Sequence, residues 1–283
     1  MSGYAAQGGA NQTYEGGTMY DFDYAKAKSV TDAATRLKAT EGAKLLAGGM
    51  TLLPTIKLRL AKPAALVDLG ALGDLKGISV AGGVVTIKAM TRHADVLRSA
   101  EVAKAIPALV TLAGGIGDVQ VRHRGTIGGS IANNDPAADY PAGCLGLGAT
   151  IVTSKREKAA DAFFTALFTT ALEPDEIITE IRFPVPERAA YVKFKNPASR
   201  YAIVGAFVSK GPKGVRVAIT GAGDNGVFRV TAMEQALAKS FDAKSIEGIT
   251  VDPGNMLGDI HASSEYRAHL VGVMVKRAIV AAA

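Results

Sequence analysis

The chain has 283 residues, 48% hydrophobic and 20% charged, which is the balance of a globular protein long enough for one large or two ordinary domains. No run approaches the roughly 18 apolar residues needed to cross a bilayer, and a single cysteine, Cys144, excludes internal disulfides and any iron–sulfur cluster held by this chain's cysteines. The formal net charge is +6, but the basic residues are scattered without an aromatic-studded stripe, which argues against nucleic acid and for a solvated basic surface, an anionic cofactor or an acidic partner.

Residues 1–17 are rich in Gly, Ala, Gln and Asn without periodicity and are expected to form a mobile arm. Neither a basic start nor an apolar stretch marks a secretory signal there, so a cytoplasmic location is expected. "SVTDAATRLKAT" (29–40) predicts a helix with a threonine cap. "AKLLAGG" predicts a short strand, Lys44–Ala47, running into a glycine turn; "AALVDLGAL" and "VVTIKAM" (84–90) predict two more. Thr91 is placed to cap a helix over 92–100, and Pro107 to open the first turn of another. "LGATIVTS" and "DEIITEIRFPVP" read as strands, the second closed by Pro184 and Pro186, which mark the best internal boundary. Beyond it "AAYVKFK", "AIVGAFVSK" and "GVRVAITG" alternate as a meander, with helices near 231–240 and at 263–282. The expected fold class is α+β, in two parts.

Two turns share one build. "LLAGGMTLLP" places Gly48-Gly49 after a strand and just before Thr51; "GTIGGSIAN" places Gly128-Gly129 between Thr126 and Ser130. Glycine admits positive φ and removes the Cβ, so consecutive N–H groups can form a concavity for phosphate oxygens. A tight turn is the bland alternative for either pair. Two such bends brought together would suit a diphosphate. In "NDPAADYP", Asp135 before Pro136 reads as a helix N-cap, and Asp139, one turn on, as an acceptor for ligand hydroxyls. Gly221, Gly223 and Gly226 have dinucleotide-fingerprint spacing, but "VFRV" follows where a helix must open, so they read as a hairpin turn. Cys144 in "AGCLGLGA" reads as an inert buried thiol. His93, His123, His261 and His269 include no metal-spaced pair, so no metal site is expected in this chain.

"AGGMTLLP" and "TIGGSIANNDPAADYPA", in that order and separation, resemble the FAD-binding medium subunits of molybdenum hydroxylases, particularly the aerobic carbon monoxide dehydrogenase type. The likeness extends over nearly everything after residue 18, including "VDLGALGDLKGI", "EIRFPVP" and "SSEYRAHLVGVMVKRA". It implies a PCMH-type FAD-binding domain over 18–184, built of two α/β subdomains (about 18–72 and 73–184). A C-terminal domain, 185–283, would follow, with a three-stranded antiparallel sheet and helices. By the same likeness Ala47, Gly48, Gly49, Met50 and Thr51, with Thr126, Ile127, Gly128, Gly129 and Ser130, hold the diphosphate of noncovalent FAD. Asp139 would bind the hydroxyl-bearing part of the cofactor, Lys195 would lie near the flavin, and Tyr201 would shield the ring. A strand-face charge and a core-edge aromatic are the bland alternatives for the last two. The family often has His or Gln where Met50 stands, so a side-chain hydrogen bond is lost there while the backbone donor remains.

The resemblance also implies partners. Substrate is oxidised at a molybdenum cofactor in a large subunit, and electrons pass through 2Fe–2S clusters of a small subunit to FAD in the medium subunit, then to an acceptor such as a quinone. The lone cysteine fits this division of labour. The likeness implies a dimer of three-subunit units, either free in the cytoplasm or associated through the complex with the inner face of the membrane. Two alternatives stand beside it: a flavin subunit whose complex acts on an aromatic heterocycle, purine or aldehyde, and a non-catalytic assembly or binding protein of the same fold. No catalytic side chain is demanded of this chain, because the cofactor carries the redox chemistry.

Overall fold

A computed structural model describes residues 19–282, so the expected arm at 1–17 lies outside the described residues. Strands β1 (Asp23–Lys26), β2 (Lys44–Leu46) and β3 (Ala65–Asp68) form a parallel sheet in the order β1-β3-β2. Parallel neighbours need crossovers, and helices α1 (Val30–Ala39) and α2 (Leu52–Lys57) lie in those connections. The cap of α1 is Ser29, not a threonine: extended backbone at Ser29 lets its hydroxyl accept from the Asp32 amide at 3.0 Å, and Thr31 falls inside the first turn. Ala27, Ala33, Val67 and Leu69 bury against Met90 and Ile177, which come from the next layer.

That layer is an antiparallel sheet ordered β4-β5-β10-β6-β7. Its strands are β4 (Ile78–Ala81), β5 (Val84–Lys88), β6 (Thr150–Thr153), β7 (Glu157–Ala159) and, after a small hairpin of β8 (Phe164–Ala166) and β9 (Thr169–Thr170), β10 (Ile178–Pro184). Six helices separate β5 from β6: α3 (His93–Arg98), α4 (Ala100–Ala105), α5 (Pro107–Gly114), α6 (Val119–Arg124), α7 (Ile127–Asn133) and α8 (Asp139–Leu147). Pro107 opens α5 as expected. Thr91 does not cap α3; its hydroxyl bonds both backbone groups of Gly77, and Arg92 takes the cap position with its amide donating to Asp95 at 3.3 Å. Val85, Ile87, Ile151, Ile181 and Phe183 of the sheet pack with Leu109, Leu112, Ile127, Ile131 and Leu145 of the helices.

The meander follows as β11 (Arg188–Lys195), β12 (Ala202–Gly211) and β13 (Gly214–Thr220), extended to four strands by the two-residue β14 (Phe228–Arg229). β14 runs antiparallel to β13, so Gly221–Gly226 is a hairpin turn and no helix opens there. Helices α9 (Thr231–Lys239) and α10 (Ser264–Ala281) cover one face, where Val204, Ala206, Val217 and Ile219 meet Met233, Val271, Met274 and Val275. The other face sends Tyr191, Phe207 and Ala218 into the core shared with α8, whose residues are all buried. Cys144 lies in that helix, and burial pushes its thiol pKa up, out of the reactive range. Arg216, itself buried, clamps the two parts by donating to the Leu145 carbonyl at 2.5 Å and to both oxygens of Asp161.

Contact between α8 and the third sheet is close enough that a Cβ on Gly146 would lie 2.5 Å from the Phe207 ring. The ring is fully buried and cannot retreat. Gly146→Val should lower stability by about 1–3 kcal/mol through overpacking, read as a lower urea midpoint at unchanged slope; an unchanged midpoint would contradict this packing.

Candidate functional site

The first glycine bend leaves β2 at Leu46 and enters α2 at Leu52. Gly49 has φ +72°, the left-handed conformation that glycine adopts without cost, and its carbonyl accepts from Leu53 at 3.1 Å. Met50 is partly exposed, and the Thr51 carbonyl accepts from the Thr55 amide at 3.1 Å. Among the described residues, no backbone acceptor takes the amide hydrogens of Gly48, Gly49, Met50 or Thr51. A row of open amides beside a side-chain-poor surface is an anion-binding arrangement.

The second bend is built differently from the sequence expectation. Thr126 is the N-cap of α7, its hydroxyl accepting from Gly129 at 3.2 Å, and none of Ile127, Gly128, Gly129 or Ser130 has a positive φ. Their amides are engaged inside the protein: Ile127 with Thr91, Gly128 with Ala89 at 2.8 Å, and Ser130 with Thr126. Gly128 is needed for packing, because a Cβ there would lie 2.6 Å from that of Ala89. His93 backs this bend: its amide donates to Gly125 at 3.0 Å, and a Cβ on Gly125 would lie 2.6 Å from its Nε2. Burial, with the Arg122 charge nearby, lowers the His93 pKa to about 4, so the imidazole stays neutral near pH 7.

The two bends touch. A Cβ on Gly48 would lie 2.8 Å from the Gly125 Cα and inside contact distance of the Arg124 carbonyl oxygen, while a Cβ on Gly129 would lie 3.6 Å from that of Ala47. Only a bare Cα allows the first approach. The junction therefore sets open amides of one bend beside the Thr126 cap and the small face of α7.

At the far end of α7, about 10 Å away at 1.5 Å per residue, the chain turns through Asp135 and into α8. Asp135 is not a helix cap; it accepts from the Ala137 amide at 2.8 Å in a local turn, and α8 begins at Asp139 itself. Asp139 is buried, with one oxygen accepting from the Tyr191 hydroxyl and both lying within reach of Lys193 Nζ, at 2.9 and 3.1 Å. Burial raises the Asp139 pKa, and the Lys193 charge and the two side-chain bonds oppose it. Lys193 also donates to the Gly115 carbonyl at 2.7 Å. It lines a cleft of about 310 Å³ with Gly115, Arg122, Tyr191, Lys195 and Arg200. Tyr201, on the adjoining loop, is 47% exposed; partial burial and the carboxylates of Asp135 and Asp139 raise its pKa.

Of the positions expected from sequence, the two bends meet at the start of α7, Asp139 lies just beyond its end, Lys195 lines the Lys193 cleft, and Tyr201 stands on the adjoining loop. Lys195 stands at the exposed end of β11, whereas Lys193, which sequence reading passed over, is the buried cation. Tyr191, Lys193 and Lys195 share one strand face by the two-residue period, and that alternation was the available signal.

Comparisons with known proteins place the chain in a family. The model for the FAD binding domain in molybdopterin dehydrogenase matches residues 20–186. The chain is 35% identical to the carbon monoxide dehydrogenase medium chain of Hydrogenophaga pseudoflava, over 92% of this chain and 96% of that one. It is 33% identical to the nicotine 6-hydroxylase medium subunit of Paenarthrobacter nicotinovorans, over 92% and 96%. The solved carbon monoxide dehydrogenase from Hydrogenophaga pseudoflava superposes with a TM-score of 0.84 at 34% identity, covering 94% of this chain and 98% of that one. The chain belongs to the FAD-binding medium subunits of the molybdenum hydroxylases, and is an FAD-carrying oxidoreductase component.

Proposed function

We propose that this chain is the flavin stage of a complex of the aerobic carbon monoxide dehydrogenase type. It receives electrons from the 2Fe–2S clusters of a small subunit, downstream of a large molybdenum subunit, and passes them to an acceptor such as a quinone. The observation that carries this reading is the contact of the two bends, with the Asp139–Lys193 cleft at the opposite end of the same short helix. An elongated cofactor with a diphosphate in its middle and a ring at one end matches that spacing. When bound, FAD supplies the electron-accepting ring; the chain supplies binding, orientation and exclusion of water.

The geometry supports a role for each of these residues. The open amides of Gly48, Gly49, Met50 and Thr51 would hold the diphosphate from one side, and Ala47, Thr126, Ile127, Gly128, Gly129 and Ser130 would form the opposing wall, with the two hydroxyls as donors. Asp139 fixes Tyr191 and Lys193, which would lie beside the hydroxyl-bearing part of the bound cofactor. Lys195 and Tyr201 would flank the ring. Medium chains and subunits among the relatives belong to enzymes named for carbon monoxide, nicotine and glyceraldehyde. That range fits a chain that the substrate never touches. Intact bends disfavour the non-catalytic alternative.

Copurification of the native complex is expected to yield FAD, 2Fe–2S clusters and molybdenum, with flavin absorbance bleached by carbon monoxide; a protein that cannot take up FAD would overturn the reading, and bleaching only by another substrate would move it to a related hydroxylase. Gly129→Val is expected to fold, since α-helical φ suits it, yet to lose bound FAD, because the new side chain fills the gap between Ala47 and Thr126. Full flavin content in that variant would remove the wall role of the second bend. Lys193→Met leaves a buried carboxylate unpaired and should cost about 3–5 kcal/mol, most of it recovered by adding Asp139→Asn. Chemical denaturation reads both, and equal loss in the single and double variants would contradict the pairing.

A further inference from the structure

Arg267, near the start of α10, is only 3% exposed. Its Nη2 donates to Asp259 at 2.6 Å, and its Nη1 donates to two carbonyls, those of Ile203 and Gly221, each at 2.7 Å. Asp259 is itself 44% exposed, so the charge is matched at the rim. Among the described residues, the buried Nε has no hydrogen-bond partner. A buried arginine this incompletely matched is a poor stabiliser, because desolvation offsets much of what its contacts gain. Its rigid fork is suited instead to fixing acceptors at a set spacing.

Both acceptors stand behind the cleft. Phe194 of β11 pairs with Val204 of β12 and Lys195 pairs with Ala202, so Ile203 is the extra residue of a β-bulge. A bulge leaves its extra residue outside the ladder and re-aims the side chains beside it; here those neighbours include Lys195 and, at the entry to β12, Tyr201. Gly221 closes β13 with φ +82°. A Cβ there would lie inside contact distance of the Ala202 carbonyl oxygen and 2.8 Å from that of Ile203. The Gly221 amide donates to Pro136 at 2.8 Å, and the Thr220 hydroxyl lies 3.0 and 2.6 Å from the Pro136 and Ala138 carbonyls. One nitrogen of Arg267 thus joins the strand start behind Tyr201 to the turn in front of Asp139.

We infer that Arg267 is a positioning residue for the flavin ring: by pinning the Ile203 bulge against the end of β13, it sets where Tyr201 and Lys195 stand relative to Asp139. The inference rests on the flavin reading and goes beyond it by assigning a role to a buried side chain of the C-terminal domain. Loss of the shared donor leaves two carbonyls unpaired, and buried carbonyls seek another donor. The bulge can gain one from water only by moving outward, and Tyr201 moves with it.

The test uses the purified complex and the fluorescence of its bound flavin, which a tyrosine ring held beside it quenches. Tyr201→Ala gives the unquenched level. Arg267→Met keeps the length and removes the donors; Arg267→Lys keeps the charge and one donor group. Fluorescence per bound flavin should rise in Arg267→Met toward the level of Tyr201→Ala, with Arg267→Lys between it and the unaltered complex. Adding Arg267→Met to Tyr201→Ala should raise it little further, the non-additivity of residues that act through one another. Met274→Ala, which opens a cavity in the same core without touching the bulge, should lower the urea midpoint and leave the fluorescence unchanged. Unchanged fluorescence in flavin-loaded Arg267→Met or in Tyr201→Ala, additive effects in the double variant, or equal brightening in Met274→Ala overturns the positioning role while leaving the flavin reading intact. Where Arg267→Met does not fold, unchanged fluorescence in Arg267→Lys overturns it. A complex that cannot take up flavin overturns both.

Discussion

Gly48 lies so close to the Arg124 carbonyl that no side chain fits between them, and the rest of the site is arranged around that contact. It joins the parallel sheet to the antiparallel one at the point where their connecting bends cross. Arg124 ends α6, Thr126 begins α7, and Gly125 between them is pinned by His93. Because backbone meets backbone there, the relative position of the bends is fixed to within a van der Waals contact instead of by flexible side chains. The open amides of the first bend can then face the second with no ordering step left to binding, which is where preorganised sites gain affinity.

The division of labour between the bends differs from their matching sequences. In the first, Gly49 supplies a left-handed residue, and the bend's N–H groups have no backbone partner among the described residues. In the second, glycine supplies thinness: Gly128 lets α7 press on β5, and Gly129 keeps its outer face small. The same dipeptide serves conformation at Gly49 and close approach at Gly48 in one place, and packing alone in the other. Sequence cannot separate these uses, because both are satisfied by a missing Cβ.

Much else was legible. The strands at 44–46, 84–88 and 178–184, the meander, the hairpin at 221–226 and the terminal helix all follow from local periodicity and turn chemistry. Harder to read were choices made by tertiary depth. Ser29 displaces Thr31 as cap because the extended backbone ends at Ser29, two residues before the threonine. Thr91 looked like a cap and is instead a brace for Gly77. In "YVKFK" the alternation marks a face, but only the position of Gly115 and Asp139 across the gap decides which lysine is buried. The two-residue strand β14 is too short to leave a pattern at all.

β12 has neighbours on both edges and cores on both faces, with eight consecutive buried residues. One of those cores includes α7, which opens the second bend, and α8; the other belongs to α9 and α10. Neither half of the molecule can open without uncovering this strand. Its amides should therefore exchange with solvent only through global unfolding, and a defect in the C-terminal helices would be felt as a loss of order across the sheet, in the helices packed around α8.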